Sequence, residues 1–441
     1  MKRRTFIRQT ALGATGISLS SFLPSSAFAK SIAPSDKINV ALIGCKNMGY
    51  GILKHALSFP DVNCVAMCDV DQNILTERAQ EVTKTFNSKP KLYKDFRKLL
   101  EQKNIDAVII GTPDHWHCLN TIYACQAGKD VYIEKPMANT IGECNLMLKA
   151  SKRYNQVIQV GQQQRSSPIF NKAMELVKGG QIGKLRKVNI WANFDYGLGS
   201  IPAPDSPVPA GVDFDMWLGP APLRTFNKNR FHGNWRHFWD YGGGLMSDWG
   251  VHLIDIALWS KDIVAGPKEV MTFATNNSSQ KGMRETYDTM SVIYPKQDFV
   301  INYDLNAGIQ AGPYNKQPYG LSFIGDNATL VVNRSYLEVF PEWDDQNKTN
   351  RASSFTMTEN DEAHKAHVRN FLDCIKSRHT PACPPEVGRA AALHAHIPNI
   401  SARINQPHLI WDDDKNQFTN SKEANALIMP EYRKPWTIPS F

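Results

Sequence analysis

Cysteine is sparse for a chain of 441 residues, and none of it is arranged to bind metal: eight thiols, at 45, 64, 68, 118, 125, 144, 374 and 383, with no Cys-x-x-Cys pair. That excludes a dense disulfide scaffold and a structural zinc site of the paired-cysteine kind. Buried free thiols are expected, with a bridge between Cys374 and Cys383 left open. No apolar run reaches the ~20 residues of a membrane span, and there is no internal repeat or long low-complexity segment. What is present is globular composition, 42% hydrophobic and 21% charged with 28 Gly and 26 Pro, at a length suited to two domains.

Charge of one sign is only modestly in excess, 50 Lys and Arg against 42 Asp and Glu. Four of the positive charges, Lys2, Arg3, Arg4 and Arg8, precede an uncharged stretch over residues 9–29 that ends in Ala27-Phe28-Ala29. This is the layout of an export signal. Arg3-Arg4-Thr5-Phe6-Ile7-Arg8 resembles the bacterial twin-arginine signal, so residues 1–29 are expected to be a leader cleaved after Ala29. The expected partner is then the twin-arginine export machinery, the expected location the periplasm, with no stable membrane anchor. Without the leader, 412 residues and a charge of +4 remain, which gives no case for nucleic acid.

Residues 37–43 form a short apolar run suited to a strand covered on both faces. Gly44-Cys45-Lys46-Asn47-Met48-Gly49-Tyr50-Gly51 supplies a turn, residues 52–59 a helix and residues 62–68 the next strand, closed by Asp69. The positions meet the demands of dinucleotide binding: Gly44 for the tight turn, Gly49 for helix packing, helix-start N–H groups for pyrophosphate, and Asp69 for the ribose hydroxyls. Asp69 favours NAD over NADP, because a carboxylate there repels a 2′-phosphate. Lys46 stands where the fingerprint has its middle glycine; its side chain either swings outward or meets a phosphate. The alternation continues with helices over 71–86 and 96–101 and strands over 105–110 and 130–133. Gly111-Thr112-Pro113-Asp114-His115-Trp116-His117 and Glu134-Lys135-Pro136 follow these strands at their carboxyl ends, where open α/β sheets bind ligands. His115 and His117 lack a third ligand, and no metal is expected.

From about Gly161 the pattern changes to alternating strands, over 186–192, 269–274, 289–294, 299–305 and 329–332, which predict one mostly antiparallel sheet. Residues 200–210, rich in proline, read as an exposed loop, and 386–404 as a helix. Asp248 and His252, four apart within an apolar helical run, are placed on one helix face. Aromatic residues between 231 and 249 beside Arg236, His232 and His237 suit sugar rings, with their apolar faces and polar rims. His364 and His367 read as surface or packing residues.

Together, Glu134-Lys135-Pro136, the Thr112–His117 loop, Gly161-Gln162-Gln163-Gln164-Arg165, the glycine-rich segment from Trp239 to His252 and Glu431-Tyr432-Arg433-Lys434-Pro435-Trp436 resemble the Gfo/Idh/MocA oxidoreductases, in particular their secreted members. The resemblance covers nearly all of the chain after the leader, with Lys46 as the departure. It implies an α/β plus α+β architecture: a Rossmann domain with a doubly wound parallel sheet at 37–160, an antiparallel-sheet substrate and oligomerisation domain at 161–385, and a C-terminal helix and tail at 386–441 returning to the core. Cofactor contacts are expected from Gly44, Lys46, Asn47, Met48, Gly49, Asp69, Thr112, Pro113, His115, Trp116, His117, Glu134, Lys135 and Gln163. Substrate contacts are expected from Arg165, Tyr196, Trp235, Arg236, Trp239 and Trp249. The catalytic set is Lys135, which hydrogen-bonds the reacting oxygen, His252 as base and Asp248 as its orienter, with the proton's destination open between Lys135 and His252.

The implied reaction is NAD-dependent oxidation of a secondary hydroxyl of a small carbohydrate by a dimer or tetramer. Outside the cytoplasm no soluble NAD pool exists, so the cofactor is expected to stay bound. The alternative is net glycoside hydrolysis through transient oxidation, elimination and re-reduction.

Overall fold

Short runs that are apolar on both faces dictate the first sheet. The computed structural model describes residues 37–280, 282–314, 316–359 and 362–441; the leader lies outside the described residues. Strands β1 (Ile38–Ile43), β2 (Val62–Cys68), β3 (Lys91–Tyr93), β4 (Ala107–Ile110), β5 (Asp130–Ile133) and β6 (Ile158–Val160) form a six-stranded parallel sheet in the order β3-β2-β1-β4-β5-β6. The chain winds one way from β1 to β3 and the other way from β4 to β6, so the carboxyl ends of β1 and β4 border the crevice where such sheets take ligands.

Helices α1 (Asn47–Leu57), α2 (Gln72–Phe86), α3 (Phe96–Leu100), α4 (His117–Gln126) and α5 (Ile141–Tyr154) cross over between these strands. Their ends follow local chemistry: the Asp71 side chain accepts the N–H groups of Asn73 and Ile74 at the start of α2, and Asn87 closes that helix in the left-handed region.

The second sheet is built on strands that alternate buried and exposed residues. After α6 (Pro168–Lys178) come β7 (Leu185–Phe194), α7 (Phe214–Leu218), α8 (Gly244–Asp248) and α9 (Gly250–Trp259). Next are β8 (Glu269–Thr275), β9 (Thr289–Pro295), β10 (Val300–Ala307), β11 (Tyr319–Gly325), β12 (Ala328–Val332) and β13 (Tyr336–Pro341). A small hairpin, β14 (Trp343–Asp344) with β15 (Thr349–Asn350), precedes β16 (Phe355–Thr358), α10 (Ala363–Ser377), α11 (Pro385–Arg403), β17 (His408–Asp412), β18 (Gln417–Phe418) and α12 (Lys422–Ala426). Ten of these strands pair in the order β16-β13-β12-β11-β7-β10-β9-β8-β17-β18, antiparallel except for β7 beside β10.

Two segments pack differently from the sequence expectation. Helix α10, read as part of the second domain, lies on α1 and adds Val368, Phe371 and Leu372 to the core around Leu42 and Leu53. Its His367 is buried between Ser166 Oγ at 2.8 Å and Val160 O at 2.9 Å, while His364 stacks on His55. The segment read as a tail supplies β17, which pairs with β8 and extends the second sheet. Helix α11 packs on α5 of the first layer and on α9 and β8 of the second, and joins the two. All eight cysteines are free and buried; Cys374 and Cys383 lie in separate apolar clusters and do not pair.

One buried carboxyl ties the last segment to α5. Glu143 is 1% exposed, accepts the Tyr432 hydroxyl at 2.6 Å and the Thr140 hydroxyl at 2.9 Å, and is pushed by burial from 4.5 to about 7 despite those bonds. A carboxyl whose pKa is raised by folding binds more protons in the folded state. Its contribution is therefore full below pH 4.5 and is lost as pH rises through about 7. We expect Glu143→Gln to remove about 3 kcal/mol of that pH dependence, read as urea midpoints at pH 5 and pH 8; an unchanged slope would contradict the assignment.

Candidate active site

Three stretches of backbone meet too closely for any side chain at the mouth of the first sheet. Gly44 has φ +87°, and a Cβ on it would lie 2.7 Å from the Gly111 carbonyl carbon; one on Gly49 would lie 2.3 Å from Gly44 O, and one on Gly111 2.4 Å from Gly49 Cα. Helix α1 therefore starts directly against the ends of β1 and β4. Its N-terminus carries no side-chain cap and no acidic residue in its first turn, which leaves amide N–H groups for an anion.

The cleft here, about 1110 Å³, is lined by Gly44, Lys46, Asn47 and Met48, by Asp69, by Thr112, Pro113, Asp114 and Trp116, by Glu134 and Lys135, and by Met216, Trp217, His232, Trp235 and Arg236 from the later chain. Asp69 accepts the N–H groups of Cys45 at 2.6 Å and Asp71 at 2.9 Å, which aims its carboxyl from the end of β2, and burial raises its pKa. Lys46 lines the cleft, and burial together with its charge lowers the pKa of His232, whose ring is paired with Asp71 at 3.0 Å. The glycine cradle, uncapped helix and placed carboxylate fit a dinucleotide.

Five expected ligands lie elsewhere. His115 is buried behind the cleft with Nε2 3.0 Å from Trp217 O, and His117 is fixed between Pro136 O at 2.8 Å and Thr112 O at 2.9 Å. Burial lowers both to about 4, so they are neutral braces of the turn. Gln163 is also behind the wall; with its amide oriented to satisfy its neighbours it donates to Gly161 O and accepts from Arg334 and His364. Arg165 is bidentate to buried Asp255 at 2.8–3.0 Å and covers Trp259, so its fork is already engaged. The Trp239 indole lies under Arg403, on neither cleft. Gly49 serves the nucleotide only through packing.

The charged centre lies between the two layers. Lys135, at the end of β5, donates from Nζ to Asp248 Oδ1 at 2.5 Å and to Asp248 O at 3.0 Å, and Arg236 Nε donates to the same Oδ1 at 3.1 Å. An ammonium has three donors, so one N–H of Lys135 is left for a further partner. Burial pushes the Asp248 carboxyl up, but the charges of Lys135 and Arg236 outweigh it and hold the group well below the usual range.

The expected pairing of Asp248 with His252 does not form. Asp248 ends α8 and His252 belongs to α9; the two helices join at Trp249, where the His252 N–H reaches Trp249 O, three residues back. The carboxylate points to the lysine and arginine instead. His252 is 4% exposed, and its Nδ1 has no partner among the described residues. Burial, then the charges of Lys135 and Arg334, keep its pKa well below 6.5.

A second cleft, about 1070 Å³, opens on the other side of this centre, lined by Tyr196, Arg236, His237, Leu245 and Asp248 among others. Arg236 borders both clefts, with Lys135 on the first and Asp248 on the second. Trp249 stands beside it, stacked on Phe194 at 4.6 Å and covered by Arg334 at 4.5 Å, with its indole N–H bonded to the Tyr196 hydroxyl.

The sequence reading missed Met216 and Trp217, from the short helix α7, and Arg334, just after β12, none of which has a local signature; His232, read there only as a neighbour of sugar-binding aromatics, lines the first cleft instead. It also passed over Asp114, whose motif was seen; burial raises its pKa well above the ordinary value, against the charges of Arg236 and Lys135. Glu134 is likewise pushed up by burial, to about 7. No group of three or more His, Cys, Asp or Glu is placed to hold a metal among the described residues.

Comparison with known proteins agrees with this architecture. Residues 38–162 match the model of an oxidoreductase family with an NAD-binding Rossmann fold, and residues 172–348 match the oxidoreductase family's C-terminal alpha/beta domain. A glycosyl hydrolase family 109 protein of Shewanella pealeana is 32% identical over 170 residues, 35% of this chain; the match spans only 37% of that relative. An aldose–aldose oxidoreductase of Caulobacter crescentus superposes with a TM-score of 0.64 at 16% identity, over 85% of this chain and 99% of that one. The WlbA dehydrogenase of Bordetella pertussis, solved with NADH and UDP-GlcNAcA, gives 0.61 at 17%, over 85% and 99%. At these identities the structural likeness is one of fold. With its first sheet matched by one family model and most of its second by the other, the chain belongs to the Gfo/Idh/MocA family of NAD-binding oxidoreductases.

Proposed function

We propose that this protein oxidises a secondary hydroxyl of a sugar or glycoside in the periplasm, using an NAD that remains bound between turnovers and is re-oxidised in place by a second substrate or an electron acceptor. The observation that carries the reading is the position of Lys135, Asp248 and Arg236 as the partition between a dinucleotide-shaped cleft and a second, largely polar cleft. When bound, the nicotinamide supplies the hydride acceptor.

The protein's own residues do the rest. Lys135 offers its third N–H to the reacting oxygen and steadies the negative charge that develops there as the O–H proton leaves, before departure of the hydride turns the oxygen into a carbonyl. Asp248, immobilised by two cations, accepts a hydrogen bond from a neighbouring hydroxyl and orients the ring. His252, neutral at working pH, is the acceptor of the hydroxyl proton; it lines neither cleft, so the proton reaches it by relay rather than by direct contact. Lys46 and the first amides of α1 hold the pyrophosphate, and Asp69 holds the ribose.

A second reading is supported by the similarity to glycosyl hydrolase family 109. In it the same oxidation acidifies the neighbouring C–H, the anomeric substituent is eliminated, water adds at the anomeric carbon across the resulting double bond, and the hydride returns to the carbonyl carbon. Release of p-nitrophenol from aryl glycosides without an added acceptor favours this reading; a keto-sugar that accumulates only with an acceptor favours the first.

Lys135→Ala is expected to lower turnover by about 10²–10³-fold while nucleotide content per chain stays at the wild-type level, measured by acid release; full activity in this variant overturns the role of Lys135. Lys46→Gln is expected to weaken NAD binding about tenfold in a fluorescence titration, and an unchanged Kd would place the lysine outside the phosphate site. Because His252 lies well below 6.5, the acid limb of kcat/KM should also fall well below pH 6.5. A limb centred at 6.5 that disappears in His252→Gln would contradict the assigned environment.

A further inference from the structure

We propose that the segment over residues 428–441 is a strap that slows release of the nucleotide, with Arg433 and Trp436 as its positioning residues. The proposal rests on the reading that the cofactor stays bound, and adds what keeps it there.

The outer wall of the nucleotide cleft is made by Trp116, from the turn after β4, and by Met216 and Trp217 of α7. Helix α7 has only five residues and cannot hold its position by its own hydrogen bonds. Arg433 holds it. Its guanidinium donates to Asp215 Oδ1 at 2.6 Å, to Asp215 O at 2.9 Å and to Gly219 O at 3.1 Å, and its backbone N–H donates to Pro220 O at 2.9 Å. One side chain thus grips the helix at two carbonyls, Asp215 O, which also accepts the Gly219 N–H, and Gly219 O just past its end.

Trp436 acts on the other half of the wall. Its ring meets Trp116 edge to face at 4.8 Å, with Arg97 over it at 5.0 Å. Trp116 is also tied to α7, since its indole N–H donates to Trp217 O at 3.0 Å. Gly219, at φ +50°, leaves room for the indole where it lies: a Cβ there would sit 2.1 Å from Trp116 Cζ2. Trp116, α7 and the strap are one packed unit, and the wall cannot swing away from the cleft without breaking the Arg433 bonds.

The strap is anchored at its other end. The Gly142 N–H donates to Ile428 O at 2.7 Å, and the Tyr432 hydroxyl donates to Glu143. These bonds place its load on α5, in the first layer, whereas α7 belongs to the long connection between β7 and α8. Such a tether leaves the phosphate and ribose contacts untouched and acts on the path by which a dinucleotide leaves.

The test is the release rate of bound nucleotide from full-length holoprotein, followed by dilution into a large excess of a fluorescent NAD analogue, for wild type, Arg433→Ala, Trp436→Ala and Arg433→Lys. We expect release to quicken at least tenfold in both alanine variants and by less in Arg433→Lys, which keeps a charge for Asp215 but loses the fork to Gly219 O. Rates are read well below the unfolding midpoint of the nucleotide-stripped proteins, so a general loss of stability does not produce the effect. Wild-type release rates in all variants that fold overturn the strap. If an alanine variant does not fold, Arg433→Lys decides alone, and unchanged release from it counts against the proposal. Wild-type protein that exchanges its nucleotide within seconds refutes the bound-cofactor reading itself, an outcome distinct from a wild type and variants that all retain it equally.

Discussion

The contact on which the rest of the site depends is the buried ion pair from Lys135 to Asp248. It joins the last residues of the first sheet's ligand edge to the start of the helical run that covers the second sheet, and Arg236 completes it from the segment between. Removing such charges from water costs several kcal/mol each, and the cost is offset only when every partner is in place. The pair therefore sets the separation of the two layers at that point, and with it the boundary between the two clefts.

Its electrostatic consequences spread through the neighbouring residues. With two cations and one firmly ionised carboxylate at the centre, nearby groups take up the forms that burial favours: Asp114 and Glu134 are driven toward neutrality, and His252 is kept unprotonated. With Lys135 and Arg236 as cations around one firmly ionised carboxylate, the centre presents donors to a developing oxyanion with little competing negative charge. Glycine has the complementary role at the phosphate end, where the Gly44, Gly49 and Gly111 backbones touch and no side chain intervenes. The long-range field of one half and the close contact of the other both aim at the crevice between β1 and β4.

Most of the first sheet was legible in the sequence, because each buried parallel strand is a short apolar run bounded by a turn, and the turns at Gly44, Thr112 and Glu134 carry residue types that chemistry at a strand's carboxyl end demands. Asp248, Lys135 and Arg236 were also found as residues. Their partners were not, since a spacing of four suggests a pairing along a helix, whereas the chain breaks the helix at Trp249 and turns the carboxylate across the layer boundary. His115, His117, Gln163 and Arg165 were misplaced for a related reason. A polar side chain in a motif reads the same whether it faces a ligand or satisfies a buried carbonyl, and only the packing of Trp217, Pro136 and Asp255 around it decides which.

What the sequence determined by itself is local: strand and helix periods, the glycines without which the turn cannot close, the capping residues, and the kinds of chemistry that the loop ends can offer. What the tertiary structure alone decided is association over long separations. Helix α10 rests on α1 instead of on the second sheet, the strand after α11 extends that sheet, and Tyr432, Arg433 and Trp436 reach back to α5, α7 and Trp116. No periodicity encodes such contacts. They are chosen because each apolar face and each buried donor must find a partner somewhere in the folded chain, and that choice is made by all of the elements together.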